Sequence, residues 1–214
     1  MSKYVVVDLE MCDIPKGAYR GNMRGRCETI QIGAVLLNES LEIVDTFISY
    51  VSPQYGIISK YIENLTHISP KDVKGAPDFC EVLTRFISWV PEDAIIVSWS
   101  DSDKMQIINE IDGKGFVVIG IDKYLETWVD CQKTFSDRMD TEKRYKLSEA
   151  LSIADIYWDD GEHDALVDAR NTAYLFAKME REPVLQLSPY YIGKIEEKPS
   201  YNPFAELLLK YSFS

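Results

Sequence analysis

The chain has 214 residues, of which 46% are apolar and 27% charged, a balance typical of a globular domain with a sizeable core. No apolar run approaches the length of a membrane-spanning helix, and the N-terminus lacks the features of a signal peptide, so we expect a cytoplasmic protein without membrane contact. The formal net charge of −12 argues against a protein that coats nucleic acid, but it allows an enzyme that grips a few phosphates.

The first third of the chain predicts a three-stranded meander. Residues 4–9 form a short apolar strand of the kind buried at the centre of a sheet, and the glycine-containing segment 11–27 reads as a loop. Strands are predicted over 29–37 and 41–51, joined by a turn at 38–40.

Helices and single strands alternate in the rest of the chain. We predict helices over 57–66, 77–90, 102–111, 147–153 and 164–181, and strands over 94–99 and 127–131. This order indicates an α/β fold with a mixed sheet, in which an antiparallel meander precedes parallel crossovers. Residues 1–182 are expected to form this domain. Prolines then punctuate a C-terminal extension, 183–214, which contains a predicted short helix over 204–211 and either packs on the domain or binds a partner.

Two carboxylates follow the first predicted strand. Asp8 and Glu10 are two residues apart, so strand alternation places them on the same face, where the buried strand emerges. Like charges at this spacing repel unless a cation or a proton lies between them, and Mg²⁺ prefers such oxygen ligands. Taken alone, the pair is also compatible with solvated carboxylates at a strand end.

Two further groups could complete a site. His163 lies at the start of a predicted helix, and Asp168 follows about one and a half turns later. Asp101 and Asp103 follow the predicted strand 94–99 and open the next helix, where Asp101 could serve as an N-cap. Three separated acidic groups and a histidine are the components of two-metal phosphodiester hydrolysis, with the histidine accepting a proton from the attacking water.

The order of these motifs resembles the DEDDh family of 3′–5′ exonucleases, which have a ribonuclease H-like fold. The resemblance rests on Asp8-x-Glu10, on the aspartate after Trp99, and on the His163-x-x-x-x-Asp168 spacing. It covers residues 4–180 and includes Glu28-Thr-Ile-Gln-Ile-Gly-Ala-Val, which is similar to the family's second strand. The hairpin around 38–40 most resembles the Eri-1-like and sporulation-inhibitor-like branch.

The resemblance implies a mixed five-stranded sheet flanked by helices, with two Mg²⁺ or Mn²⁺ ions at the site. The carboxylates that would hold the ions are Asp8, Glu10, Asp103 and Asp168. His163 would be the general base, and the backbone of Leu9 and the side chain of Met11 would lie near the terminal base. Some family members carry the third acid nearer the tryptophan, which leaves Asp101 as the alternative to Asp103.

Positive charge is concentrated in two stretches that adjoin the proposed site in sequence, and we expect them to hold the phosphates of a single strand. The first stretch contains Lys16, Arg20, Arg24 and Arg26, and the second Lys133, Arg138, Lys143, Arg144 and Lys146. From these two stretches we select Arg24 and Arg144 as substrate-binding residues. The alternative is that the positive charge serves only solubility.

The leading hypothesis is a metal-dependent exonuclease that degrades the 3′ end of single-stranded RNA or DNA to nucleoside monophosphates. One alternative is an exonuclease-fold subunit that docks on a partner protein, or forms a homodimer, through residues 183–214. Another is a phosphohydrolase of very short oligonucleotides. Residue types alone do not distinguish RNA from DNA.

Overall fold

A computed structural model describes residues 3–196 of the chain, with side chains to residue 193; the predicted helix over 204–211 lies outside the described residues. Within this range, the chain contains five strands and eight helices. They are β1 (Lys3–Asp13), β2 (Cys27–Leu37), β3 (Ile43–Tyr50), α1 (Lys60–Thr66), α2 (Phe79–Trp89), β4 (Ala94–Ser98), α3 (Asp101–Lys114), α4 (Asp122–Glu126), β5 (Val129–Asp130), α5 (Cys131–Arg138), α6 (Leu147–Ile153), α7 (Ala165–Arg181) and α8 (Pro189–Glu196).

The strands form one sheet in the order β3-β2-β1-β4-β5. β2 pairs antiparallel with both β1 and β3, whereas β4 pairs parallel with β1 and β5. The predicted fold class, an antiparallel meander followed by parallel crossovers with flanking helices, is therefore confirmed. The predicted turn at 38–40 is also present, and Asn38 Oδ1 accepts backbone N–H bonds from Ser40 at 2.9 Å and Glu42 at 3.0 Å.

β1 lies at the centre of the sheet, which explains its apolar sequence. Val5, Val6 and Val7 are all 0% exposed, because helices cover both faces. Val5 and Val7 pack in the cluster that includes α2, while Val6 packs in the cluster that includes α7. Strand alternation therefore directs Asp8 and Glu10 to the α7 side.

The first strand extends further than the sequence pattern predicted. β1 does not end near Leu9, because it continues along β2 as far as Asp13, after a register shift between Glu10 and Met11. Its pairing with β4, in contrast, stops at Val6. Helices α4 and α5 were not predicted, since each is short and offers only one to three buried residues as a periodic signal.

The start of the C-terminal extension lies against the domain. Ser188 N–H donates to the Ile153 carbonyl at 2.8 Å, and Leu185, Leu187 and Tyr191 pack against the cluster that contains α6 and α7. Among the described helices, none is both long enough and apolar enough to cross a membrane.

Candidate active site

Asp8 and Glu10 occupy a notch in the sheet. Because β4 stops pairing with β1 after Val6, the next side chains on the α7 face of β1 have no neighbouring strand on that edge. Glu10 is buried and Asp8 is half-buried. The two carboxylates thus emerge beside the carboxyl end of β4, where ligands gather in open α/β sheets.

α3 begins just after β4 and brings a third carboxylate to this notch. Asp103 is 6% exposed, and its Oδ1 accepts the Leu9 backbone N–H at 3.2 Å. Asp101 is exposed on the same helix. It is not the N-cap, as its position had suggested, because Ser100 holds that place and accepts the Ser102 N–H. The direction of α3 therefore brings Asp103, and not Asp101, to the other carboxylates.

The first turn of α7 contributes Asp168, and the loop just before this helix contributes His163. Asp164 caps the helix, and the preceding His163 has a left-handed backbone with φ of 69°. The His163 backbone N–H donates to Asp168 Oδ2 at 2.9 Å, which ties the end of the loop to the helix. One ligand atom each of Glu10, His163 and Asp168 lies within 4.8 Å of the others.

Burial of the carboxylates of the site and repulsion between them raise their pKa values. Burial raises the pKa of Asp8 well above its usual value, and the charge of Asp103 raises it further. Burial, with repulsion from Asp168, raises the pKa of Glu10 to about 8. Burial also raises the pKa of Asp103 to about 7, although the Leu9 N–H bond lowers it.

These side chains suit a divalent cation. Carboxylate oxygens and one imidazole are ligands that hard and borderline cations accept, and no lysine or arginine of the described residues forms an ion pair with the four carboxylates. A cation would supply the missing positive charge, so the residues present fit a metal site.

Two residues of β2, both missed by sequence reasoning as parts of the site, hold the start of α7. Gln31 Oε1 accepts the Ala165 N–H at 3.1 Å, and Gln31 pairs with Glu10 across the strands. Gly33 pairs with Asp8, and a Cβ on it would lie 2.3 Å from the backbone of Ala165. A glutamine and a glycine inside an apolar strand were the available signal, since strand glycines mark close backbone approach.

Asn171 holds the loop before His163. Its buried carboxamide accepts the Asp159 N–H at 2.9 Å and donates to the Asp159 carbonyl at 3.1 Å. Arg170 adds an ion pair to the carboxylate of Asp159 at 3.2 Å. The loop that presents His163 is therefore fastened to the same helix that carries Asp168.

A buried ionic cluster anchors α3 to β2. Lys114 Nζ lies 2.7 Å from Glu28 and 2.6 Å from Glu110, and both glutamates are 0% exposed. The other oxygen of Glu110 accepts both the backbone N–H and the hydroxyl of Thr29, and Glu28 accepts backbone N–H bonds from residues 54–56. This cluster fixes the helix whose first turn carries Asp103.

One cavity adjoins the carboxylates, and a second is lined by Met11 and Ser102, which neighbour Glu10 and Asp103 in the sequence. The first, which we call the tryptophan cleft, has a volume of about 520 Å³ and touches Asp8, His163 and Asp168. Its walls are formed by Trp99, Arg144, Tyr145, Lys146, Trp158 and Glu162. The second, the methionine groove, has a volume of about 420 Å³. It is lined chiefly by Met11, Arg24, Cys27, Ser102, Met105 and Asp112.

The structure thus separates the predicted substrate-binding residues. Arg144 lies in the tryptophan cleft, whereas Arg24 and Met11 lie in the methionine groove. The backbone N–H of Leu9 is already bonded to Asp103, and its side chain is buried. Arg20 and Arg26, from the same basic stretch as Arg24, bond to backbone carbonyls of their own loop.

Residues 5–176 match the model of a family described as exonuclease (RNase_T). ERI1 exoribonuclease 2 of Danio rerio is 28% identical over 91% of this chain, and DNA polymerase III PolC-type of Staphylococcus saprophyticus is 34% identical over 72% of it. The chain spans only 39% of the first relative and 10% of the second.

Solved structures agree on the fold. The nuclease domain of 3′hExo, a DEDDh family member bound to rAMP, superposes with a TM-score of 0.72 at 22% identity, covering 87% of this chain and 96% of that one. A structure of exonuclease I gives a TM-score of 0.66 at 13% identity over 86% of this chain and 42% of its own.

Proposed function

Because this chain belongs to the exonuclease family that its residues 5–176 match, as the resemblance to DEDDh exonucleases implied, we propose that it hydrolyses nucleic acid from the 3′ end. The substrate is a single strand, and the products are nucleoside monophosphates. RNA is the polymer we favour, since relatives that match 91% and 95% of the chain are named exoribonucleases. DNA is the competing substrate, because PolC-type polymerases also match.

One observation carries this proposal: the convergence of Asp8, Glu10, Asp103 and Asp168 beside His163. These groups come from β1, from α3 and from α7 with the loop before it, and burial together with repulsion from nearby carboxylates raises the pKa of each of the four carboxyls. A protein that gained nothing from this charge would be more stable with neutral side chains there. Perturbed groups that converge in a cleft are typical of catalytic sites.

The four carboxylates would hold two Mg²⁺ or Mn²⁺ ions. Bound there, the ions would activate a water and stabilise the leaving oxygen of the phosphodiester. Asp8 would contact both ions, Glu10 and Asp168 the one on the water side, and Asp103 the other. The bond from Leu9 N–H to Asp103 orients that carboxylate and favours its ionised form.

His163 would accept the proton of the attacking water. Its side chain is exposed and opens into the tryptophan cleft, next to Asp8 and Asp168. Imidazole is the side chain most often used as a general base, and Asp168 would stabilise the imidazolium that results.

The test is a degradation assay on 5′-labelled single-stranded RNA and DNA with Mg²⁺, Mn²⁺ or EDTA. We expect a ladder that shortens from the 3′ end and disappears with EDTA or in the Asp8→Asn variant. The Asp93→Asn variant, which neutralises an exposed aspartate next to β4, is the matched control and should retain full activity. Unchanged cleavage by Asp8→Asn would contradict the site assignment.

The division into an exonuclease domain, 1–182, and an extension, 183–214, stays a prediction. So do a cytoplasmic location and a protein partner or homodimer formed through the extension. The contacts of residues 185–191 with the domain support the packed form of the extension.

A further inference from the structure

The connection between β4 and α3 consists of two residues, Trp99 and Ser100. Because it is so short, the angle at which α3 leaves the sheet depends on the conformation of these two residues. The first turn of α3 carries Asp103, whose Oδ1 accepts the Leu9 N–H at 3.2 Å. The groups that hold the connection therefore also determine where Asp103 lies.

Ser98, the last residue of β4, holds the carbonyl group of Ser100. Ser98 is 0% exposed, and its hydroxyl donates to the Ser100 carbonyl at 2.6 Å. This carbonyl belongs to the N-cap of α3, from which the helix starts. A buried hydroxyl that bonds to the backbone two residues ahead closes a tight turn, so it fixes the first peptide group of the helix.

Trp128 bonds to the same hydroxyl from another segment of the chain. Its indole Nε1 donates to Ser98 Oγ at 2.8 Å, and the two residues are 30 positions apart. A hydroxyl has a single proton, and because Ser98 Oγ accepts the indole N–H, that proton remains for the Ser100 carbonyl. The ring of Trp128 packs against the core cluster that includes α2. The orientation of the Ser98 hydroxyl is therefore set from the core.

A backbone bond holds the other carbonyl of the connection. The N–H of Gln132, in the first turn of α5, donates to the Trp99 carbonyl at 2.7 Å. Both residues between β4 and α3 are thus bonded to groups outside α3. We call the three bonds, from Trp128 to Ser98, from Ser98 to Ser100 and from Gln132 to Trp99, the β4 clasp.

We propose that Ser98 and Trp128 are positioning residues: the β4 clasp orients α3 so that Asp103, and not Asp101, joins the other carboxylates. Neither Ser98 nor Trp128 is one of the proposed metal ligands, so both act through Asp103. This role rests on the proposed exonuclease function. Removal of a group that orients a metal ligand typically lowers metal affinity or activity about 10- to 100-fold.

Ser98→Ala removes the hydroxyl at the centre of the clasp. We expect kcat, and Mg²⁺ affinity measured by calorimetry, each to fall about tenfold. Ser136→Ala is the matched control, since Ser136 is also buried and its hydroxyl donates to the carbonyls of Gln132 at 2.9 Å and Lys143 at 2.7 Å. It should lose a similar amount of stability in urea but keep both kcat and Mg²⁺ affinity.

Trp128→Phe removes the indole N–H and keeps an aromatic ring. We expect a smaller loss of kcat and Mg²⁺ affinity, about threefold, because the Ser98 hydroxyl is still present. Since Trp128 acts through Ser98, the double variant should lose no more than Ser98→Ala alone. Trp89→Phe is the matched control, because its Nε1 donates at 3.0 Å to the exposed carboxylate of Asp45. It should change neither quantity.

Hydrogen exchange in the metal-free protein tests the geometry without any assay of function. The Leu9 N–H is bonded to Asp103, so its exchange rate, followed by NMR, reports whether Asp103 is in place. In Ser98→Ala we expect the Leu9 amide to exchange about tenfold faster relative to that of Val6, which lies in the same strand and pairs with Val97 of β4. A general loss of stability would accelerate both amides alike.

The outcomes are distinguishable. An unchanged ratio of Leu9 to Val6 exchange in a folded Ser98→Ala protein would overturn the proposal while leaving the exonuclease function intact. An equal loss of Mg²⁺ affinity in Ser136→Ala would also overturn it, and additive losses in the double variant would refute the role of Trp128. If the parent protein shows no cleavage in Mg²⁺, the proposed function fails, and the exchange of Leu9 then shows separately whether the clasp places Asp103.

Discussion

Replacing Gly33 with alanine tests whether β2 positions the catalytic end of α7. The added Cβ would lie 2.3 Å from the Ala165 carbonyl carbon and 2.3 Å from the Leu166 nitrogen. Ordinary contact begins at 3.4 Å, so the first turn of α7 must retreat by about 1.1 Å. Both atoms belong to backbone, which leaves no flexible side chain to absorb the change.

That displacement falls between His163, in the loop before α7, and Asp168, in the first turn of the helix. A misplacement of about 1 Å can reduce the rate of a positioned reaction about 100-fold, and overpacking costs about 1–3 kcal/mol of stability. We therefore expect Gly33→Ala to lower kcat by about two orders of magnitude. It should also lower Tm by several degrees, at about 2–4 °C per kcal/mol for a chain of this size.

The assay is single-turnover cleavage of a labelled oligonucleotide well below the Tm, with circular dichroism to confirm that the variant is folded. Gly193→Ala is the matched control, since no atom of the described residues outside its own helix lies within 4 Å of the Cβ it would add. A folded Gly33→Ala protein with the rate of the parent would refute the argument that this close contact sets the geometry of the site.

Four further results are expected. In EDTA the folded carboxyl groups keep protons up to their raised pKa, about 8 for Glu10 and about 7 for Asp103, whereas the unfolded chain releases them near pH 4. Stability in urea should thus fall between about pH 4 and 8, and excess Mg²⁺ should abolish the fall; a constant or rising stability in EDTA would contradict this. His163→Ala should lower kcat about 10²- to 10⁴-fold with little change in Mg²⁺ affinity measured by calorimetry, and a rate close to the parent's would exclude it as the base. Asp103→Ala should lose Mg²⁺ affinity while Asp101→Ala retains it, and the reverse result would reassign the third ligand. Lys114→Met leaves two buried glutamates without their cation and should lower the free energy of unfolding in urea by about 3–5 kcal/mol. A decrease of less than about 1 kcal/mol would show that the cluster is dispensable.

The sequence by itself determined the local parts of this protein. An apolar run predicted β1, strand alternation put Asp8 and Glu10 on one face, and helix periodicity located α2 and α7. The family followed from the motif spacings, because His163 and Asp168 share one short segment and keep their relation wherever the helix lies. These features depend on neighbours within a few residues, which the chain order specifies directly.

Tertiary structure decided which residues meet. The sequence pattern alone does not distinguish Asp101 from Asp103. Only the direction in which α3 leaves β4 buries Asp103 and exposes Asp101. The Gln31–Ala165 bond joins residues 134 positions apart, so no local pattern specifies it. The basic residues differ in the same way, since only packing shows that Arg144 has no side-chain partner among the described residues while Arg138 is bonded to backbone. Contacts between distant segments depend on the packing of whole helices against the sheet, and that packing is set by the summed burial of many side chains rather than by any one motif.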